Sequence, residues 1–164
     1  MRRYGITGWK DTGKTTLTER LVAAITARGL RVSTVKHAHH DTDIDHPGTD
    51  SHRHRAAGAQ EVLLASPRRW ALMAELREAA EPGLEELLAR LSPVDLVLIE
   101  GYKRAPHPKI ECHRAASTRP LLARSDASIR AVASDTALGG LAVPVFALDD
   151  TDAIAGFILA EVGL

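Results

Sequence analysis

Short apolar runs alternate along the chain with longer segments of helical spacing. Between residues 14 and 28, apolar side chains recur every three or four positions and Gly29 follows, which predicts a helix that ends at the glycine. The continuous apolar run before Glu100 is typical of a strand buried on both faces. Further helices are predicted over residues 49–57, 83–91 and 150–163. Strands are predicted over residues 2–7, 31–36, 61–65, 69–76, 95–100, 109–114, 129–134 and 144–148.

The order of these elements indicates the fold class. Strands that alternate with helices predict an α/β fold with a mostly parallel sheet and helices on both faces. The segment over residues 69–76 can form a strand or a helix, and we expect a strand that pairs with the strand over 61–65. No repeat or low-complexity linker interrupts the alternation, so we expect a single domain that spans residues 1–164.

The segment GITGWKDTGKTTL carries the pattern G-x-x-x-x-G-K-[ST], which predicts a phosphate-binding loop. It follows a predicted strand and opens a predicted helix, as such a loop requires. Backbone N–H groups would surround the phosphates, Lys14 would reach the β- and γ-phosphates, and the Thr15 hydroxyl would bind Mg²⁺. The alternative is a glycine-bearing turn with a surface lysine. We therefore expect a fold of the P-loop NTPase type. The residues assigned to nucleotide binding are Gly8, Trp9, Lys10, Asp11, Thr12, Gly13, Lys14, Thr15 and Thr16.

Glu100 stands at the end of the buried strand, and Gly101 leaves space beside it. A carboxylate at a strand end can hold Mg²⁺ directly or through water, or orient an attacking water. Because parallel strands end at one edge of a sheet, Glu100 is expected beside the phosphate loop. We therefore predict Glu100 as the catalytic candidate and, with Thr15, as a magnesium ligand. The alternative is a strand-terminal acid that faces solvent.

Six of the eight histidines lie between residues 37 and 54, interleaved with aspartates. Three interpretations stay open: a transition-metal site, a loop that faces the γ-phosphate, and a polar loop without a specific role. The segment follows the second strand and so leaves the sheet at the edge where ligands bind in open α/β folds. We predict that it faces a ligand or partner through His37, His39, His40 and Asp43. Asp45 is predicted to reach Mg²⁺ through water.

Charge and composition narrow the classes of partner. The chain has 21 basic and 21 acidic residues, so no nucleic-acid or anionic-membrane partner is expected. No apolar run approaches the length of a membrane span, and no apolar segment follows Arg2 and Arg3 as in a signal peptide. The one cysteine, Cys112, cannot form an internal disulfide, which favours a cytoplasmic location.

Several segments together resemble one protein family, the molybdopterin-guanine dinucleotide biosynthesis adapter family, MobB. They occur in the family's order over nearly the whole chain. The histidine-rich segment with HPGTDS, and IEGYK followed closely by PKIE, are more specific than the phosphate loop. The matching segments are GWKDTGKTTL, KHAHHDTDIDHPGTDS, RAAGAQ, RWALM, IEGYK, PKIE and AVASD. Thr49 departs from the family pattern, because members commonly carry lysine there.

The resemblance implies a GTP-binding adapter protein with at most slow, Mg²⁺-dependent GTPase activity. GTP and Mg²⁺ are the implied cofactors. The resemblance also implies a homodimer that acts beside the molybdopterin guanylyltransferase, which attaches GMP to molybdopterin, and beside molybdenum-insertion proteins. Molybdopterin itself is a further candidate ligand.

The residue that would recognise guanine is not evident, because the motif N-K-x-D is absent. Asp135 follows the predicted strand 129–134, where a carboxylate could pair with the guanine N1–H and N2–H₂ groups. A helix cap or turn residue is the alternative for Asp135.

Two other function classes stay open. A small-molecule kinase would share the phosphate loop and would need lid arginines, for which Arg53 and Arg55 are candidates. A metallochaperone GTPase would use the histidines to hold nickel or zinc.

Overall fold

The computed structural model describes residues 1–38 and 43–164. The chain divides into two compact units. The first unit comprises Met1–His37 and Leu91–Leu164, and the second unit comprises Ala38–Arg90.

The predicted helices and strands are confirmed, with boundaries that differ by at most two residues. The first unit contains β1 (Arg2–Gly8), α1 (Lys14–Ala27), β2 (Val32–Lys36), β5 (Leu96–Glu100), β6 (Lys109–His113), β7 (Ile129–Ser134), β8 (Val145–Ala147) and α4 (Thr151–Val162). The second unit contains α2 (Asp50–Ala56), β3 (Glu61–Ala65), β4 (Trp70–Ala74) and α3 (Leu84–Ala89).

The first unit is built on a six-stranded sheet of order β2-β5-β1-β6-β7-β8, in which every pairing is parallel. α1 and α4 pack on one face, because alternate strand residues and the apolar stripe of each helix meet there. This core contains Tyr4, Ile6, Leu17, Leu21, Ile25, Leu98, Ile110, Ile154 and Ile158.

The opposite face of the sheet carries a short 3-10 helix, Leu122–Arg124. Glu111 of β6 points to that face and is fully buried. Its carboxylate accepts hydrogen bonds from the backbone N–H groups of Leu122 and Ala123, at 2.9 and 2.8 Å. The expected α/β fold, a mostly parallel sheet with helices on both faces, is therefore confirmed.

The strand register brings three chain segments to one edge of the sheet. Glu100 pairs with Ile6 of β1 on one side and with Lys36 of β2 on the other. All three strands are parallel, so their carboxyl ends meet there together with the loop that leaves β1. This edge is where ligands bind in open α/β sheets.

The second unit contains an antiparallel hairpin in which Leu63 pairs with Leu72 and Ala65 pairs with Trp70. These residues share one face of the hairpin, since side chains alternate along a strand. Leu63 is 61% exposed and Trp70 is 65% exposed. In the described part of the chain, no helix is both long and apolar enough to cross a membrane.

Candidate nucleotide-binding site

The loop between β1 and α1 has the backbone geometry of a phosphate-binding loop. Gly8 has φ +137°, and a Cβ placed there would collide with the Cys112 carbonyl oxygen. Only glycine fits this position, which explains the first glycine of the motif. Asp11 has φ +62°. Gly13, with φ +95°, is the N-cap of α1 and provides no side-chain cap. The first N–H groups of α1 therefore have no side-chain acceptor at the cap, and such groups bind anions.

Inside this loop, the Trp9 carbonyl oxygen is the acceptor for two side chains. Lys14 Nζ donates to it at 2.6 Å, and the buried Thr12 hydroxyl donates at 2.8 Å. The Lys14 ammonium is thus folded back onto its own loop. A phosphate that binds the loop would replace the Trp9 carbonyl oxygen as the partner of the Lys14 ammonium. Lys10 is exposed.

The structure brings together Thr15 and Glu100, two of the three residues predicted to reach magnesium. The Thr15 hydroxyl donates a hydrogen bond to Glu100 Oε1 at 2.9 Å. Glu100 is buried, with 8% of its surface exposed. Lys36 Nζ lies 3.6 Å from the same carboxylate oxygen. A hydroxyl and a carboxylate are ligands that Mg²⁺ prefers, so the donor set fits that ion.

A cavity of about 750 Å³ lies beside the phosphate loop and contains the predicted guanine reader. Its lining residues include Thr16, Arg20, Arg114, Asp135, Phe146 and Asp149. Asp135 Oδ1 accepts a hydrogen bond from the Ala115 N–H at 2.8 Å. Arg114 Nη1 lies 3.5 Å from Asp135 Oδ2. Thr16 and Asp135, assigned separately from the sequence, thus line the same cavity.

Sequence reasoning missed Arg114 and Lys36. Arg114 lines the cavity and also lies close to the phosphate loop, because its guanidinium is 3.4 Å from where a Cβ on Gly13 would be. It follows β6 and is not part of any motif, so only the three-dimensional arrangement identifies it. The sequence predicts a strand that ends at Lys36, but only the strand order places it beside the strand that ends at Glu100.

The histidine-rich segment is described only in part. The His37 ring stacks on Tyr102, with 4.7 Å between the ring centroids. His39 and His40 lie outside the described residues, so their predicted role in facing a ligand stays a prediction. Among residues 1–38 and 43–164, no group of three or more histidines, cysteines and acids could hold a metal ion.

Within the second unit, Asp43 and Asp45 contact Arg55. Arg55 Nη2 lies 2.6 Å from Asp43 Oδ2, and Arg55 Nη1 lies 2.9 Å from Glu75 Oε1. Asp45 Oδ1 accepts hydrogen bonds from the hydroxyls of Thr49 and Ser51, at 2.9 and 3.0 Å. These contacts organise the start of α2. A magnesium role for Asp45 stays a prediction.

Thr49 is the N-cap of α2, and its hydroxyl accepts a hydrogen bond from the His52 N–H. The cap gives Thr49 a structural role in the second unit. Arg53, the other lid candidate, lies 3.7 Å from Asp50 on the same helix.

Comparison with known proteins identifies the family. A sequence profile described as "MobB: Molybdopterin guanine dinucleotide synthesis protein B" matches residues 4–135. The "Molybdopterin-guanine dinucleotide biosynthesis adapter protein" of Escherichia coli (strain K12) is 42% identical over 154 residues. That match covers 92% of this chain and 87% of the relative. The protein of the same name in Haemophilus influenzae is 45% identical over 120 residues, which cover 71% of this chain and 66% of that protein.

A solved structure agrees with this result. The crystal structure of a MobB protein homolog from Bacillus stearothermophilus has a TM-score of 0.72 and 32% sequence identity, and the match covers 99% of each chain. The P-loop NTPase type of fold expected from the sequence is thereby confirmed. The chain belongs to the MobB family of molybdopterin guanine dinucleotide synthesis proteins.

Proposed function

We propose that this chain binds GTP and Mg²⁺ at the phosphate loop and hydrolyses the nucleotide slowly at most. The contact between the Thr15 hydroxyl and the Glu100 carboxylate carries the proposal, because it joins the loop to the strand-end acid. The phosphates would contact Lys14 and the first N–H groups of α1. Thr15 and Glu100 would hold Mg²⁺, which neutralises phosphate charge when it is bound.

The cavity beside Thr16 is the proposed site for the guanine base. Asp135 is the proposed reader, because its two carboxylate oxygens can accept hydrogen bonds from the N1–H and N2–H₂ groups. Adenine presents no donor at N1, so it would leave an acceptor unpaired and be rejected. In this proposal, Asp135 exchanges its contact with Arg114 for the base.

As a member of the MobB family, the chain is an adapter protein of molybdopterin guanine dinucleotide biosynthesis. The proposed partners are the molybdopterin guanylyltransferase and the molybdenum-insertion proteins, with molybdopterin as a further ligand. The adapter name of the two bacterial relatives supports this assignment. The proposed compartment is the cytoplasm, which suits a chain whose single thiol, Cys112, is free and buried.

The proposed assembly is a homodimer formed through the hairpin of β3 and β4. An isolated two-stranded sheet is marginal in water, and one face of this one exposes Leu63, Trp70 and Leu72. A second copy would supply the same apolar surface in return, as a two-fold interface requires.

GTP binding is tested by calorimetry with Mg²⁺ on the wild type and on Lys14→Ala. We expect binding to be lost in the variant while its melting curve is unchanged, because the Lys14 ammonium donates its hydrogen bond to a carbonyl of its own loop. Unchanged affinity in the folded variant would contradict the proposal. The adapter role is tested separately by co-purification with the guanylyltransferase, and failure to associate would overturn the proposed partner.

A further inference from the structure

Trp9 gathers three cationic side chains at one end of the phosphate loop. Its carbonyl oxygen holds the Lys14 ammonium at 2.6 Å. Lys103 Nζ lies 4.3 Å from the centroid of its ring, and Arg119 Cζ lies 5.4 Å from the same centroid. Both distances fall within the roughly 6 Å over which an aromatic face attracts a cation. The nucleotide proposal uses Lys14 but neither of the other two cations.

The orientation of the Trp9 ring is fixed from outside the loop. Its indole N–H donates a hydrogen bond to the Pro120 carbonyl oxygen at 2.8 Å. The segment that carries Arg119 and Pro120 is anchored in turn, because the Leu122 N–H donates to the buried Glu111 carboxylate. A single segment therefore positions both the ring and the Arg119 guanidinium.

The turn after β5 positions Lys103. Gly101 and Tyr102 have φ values of +97° and +44°, in the region that side chains other than glycine rarely adopt. A Cβ on Gly101 would lie 3.0 Å from the His37 Cβ, which is tighter than ordinary contact. Tyr102 stacks on His37. A residue in this unfavourable conformation persists where the surroundings impose it, and such residues cluster at functional sites.

The electrostatic environment of Lys103 is positive. Burial lowers the pKa of its ammonium, and the nearby charges of Lys14 and Arg119 lower this pKa further. Cations held close to one another raise the free energy of the folded chain, and an anion between them would relieve the repulsion.

We propose that Lys103 and Arg119, held against Trp9, form an anion subsite that binds a phosphoryl group at the terminal-phosphate end of the loop. Lys14 marks this end, because the motif lysine reaches the β- and γ-phosphates. The phosphoryl group can come from the γ-phosphate of bound GTP or from a second phosphorylated molecule. The first source rests on the proposed function, whereas the second does not depend on it.

The variants Lys103→Gln and Arg119→Gln test the subsite. Arg104→Gln is the matched control, because Arg104 is the exposed cation next to Lys103 in sequence. Calorimetry in Mg²⁺ gives the affinity of each protein for GTP and for GDP. If the γ-phosphate is the source, both test variants lose about tenfold or more in GTP affinity and keep their GDP affinity, since a charge-assisted contact is lost. The control keeps both affinities.

A second measurement tests the other source. Inorganic phosphate is titrated into GDP-saturated and nucleotide-free protein, and the fluorescence of Trp9 is followed in a Trp70→Phe background. Trp9 is then the only tryptophan, because the chain has two. If a second molecule is the source, phosphate changes the Trp9 signal in the parent and the control, and Lys103→Gln and Arg119→Gln lose this response.

The subsite is overturned if both test variants match Arg104→Gln in GTP, GDP and phosphate binding. The two proposals fail in different ways. A wild type that binds neither nucleotide contradicts the proposed function, and the phosphate titration of nucleotide-free protein then decides the subsite alone. Nucleotide binding that is unaffected by either variant, with no phosphate response, contradicts the subsite and leaves the proposed function intact.

Discussion

The Thr15 hydroxyl donates a hydrogen bond to Glu100 Oε1 at 2.9 Å, although the two residues are 85 positions apart in the sequence. Thr15 belongs to the first turn of α1, and Glu100 is the last residue of β5. Lys36 Nζ lies 3.6 Å from the same oxygen. The carboxylate thus already has a hydroxyl donor and an ammonium beside it. A magnesium ion that binds there would replace both as the partner of the Glu100 carboxylate.

The first prediction is that Glu100→Gln lowers Mg²⁺-dependent GTP turnover much more than GTP affinity. The amide keeps the shape of the side chain but removes the charge that would hold the ion or orient water. We expect turnover to fall by about a hundredfold and affinity to change by less than about threefold. Both are measured over a range of Mg²⁺ concentrations.

Glu19→Gln is the control for this prediction, since Glu19 is an exposed acid on the same helix as Thr15. It should leave turnover and affinity unchanged. Equal losses of affinity and turnover in Glu100→Gln would argue instead that Glu100 only maintains the structure of the loop.

Much of this site could be predicted from local sequence patterns. The loop was evident because its glycines and Lys14 have fixed spacing, and Glu100 because it ends a continuous apolar run. The positions of Lys103, Arg114 and Arg119 could not be predicted. Each lies in a loop without periodicity, and its proximity to the phosphate loop depends on turns that only the folded chain defines.

For the fold, too, local patterns could be predicted and long-range arrangement could not. Alternating apolar runs predict strands and helices because each element must bury one face. The division into two units could not be predicted, because no linker-like composition marks residues 38 or 90. The burial of Lys109 could not be predicted either, because lysine side chains are rarely fully buried. It is fully buried because Ala105 and Ser128 accept hydrogen bonds from its ammonium.

The second prediction concerns base selection. Asp135→Ala should lower the preference for GTP over ATP by about tenfold or more, because the guanine donors would lose their acceptor. The ratio of the two dissociation constants, measured in Mg²⁺, reports this preference directly.

Asp149→Ala is the matched control, because Asp149 lines the same cavity as Asp135. Its preference for GTP should equal that of the wild type. Loss of the preference in Asp149→Ala with retention in Asp135→Ala would assign base recognition to Asp149.

The third prediction concerns stability. The Tyr4 hydroxyl is buried and has no hydrogen-bond partner among the described residues, and burial raises the pKa of the Tyr4 side chain. Tyr4→Phe removes this unpaired group and keeps the ring, so the free energy of unfolding should rise by about 1 kcal/mol. Urea denaturation measures the change. Tyr4→Leu, which also removes the ring, should destabilise the chain through lost packing, and a loss in Tyr4→Phe would indicate a hydroxyl partner.

The last prediction concerns the assembly. Leu63 and Leu72 are register partners on one face of the β3–β4 hairpin, next to the exposed Trp70. The double variant Leu63→Lys, Leu72→Lys places two charges on that face, where a partner copy would have to bury them. We expect a wild-type dimer and a monomeric variant by light scattering on a sizing column. Ile44→Lys is the control, because Ile44 is 72% exposed but lies outside the hairpin, and this variant should stay dimeric. A monomeric wild type, or a double variant that keeps the dimer mass, would show that this face is not the interface.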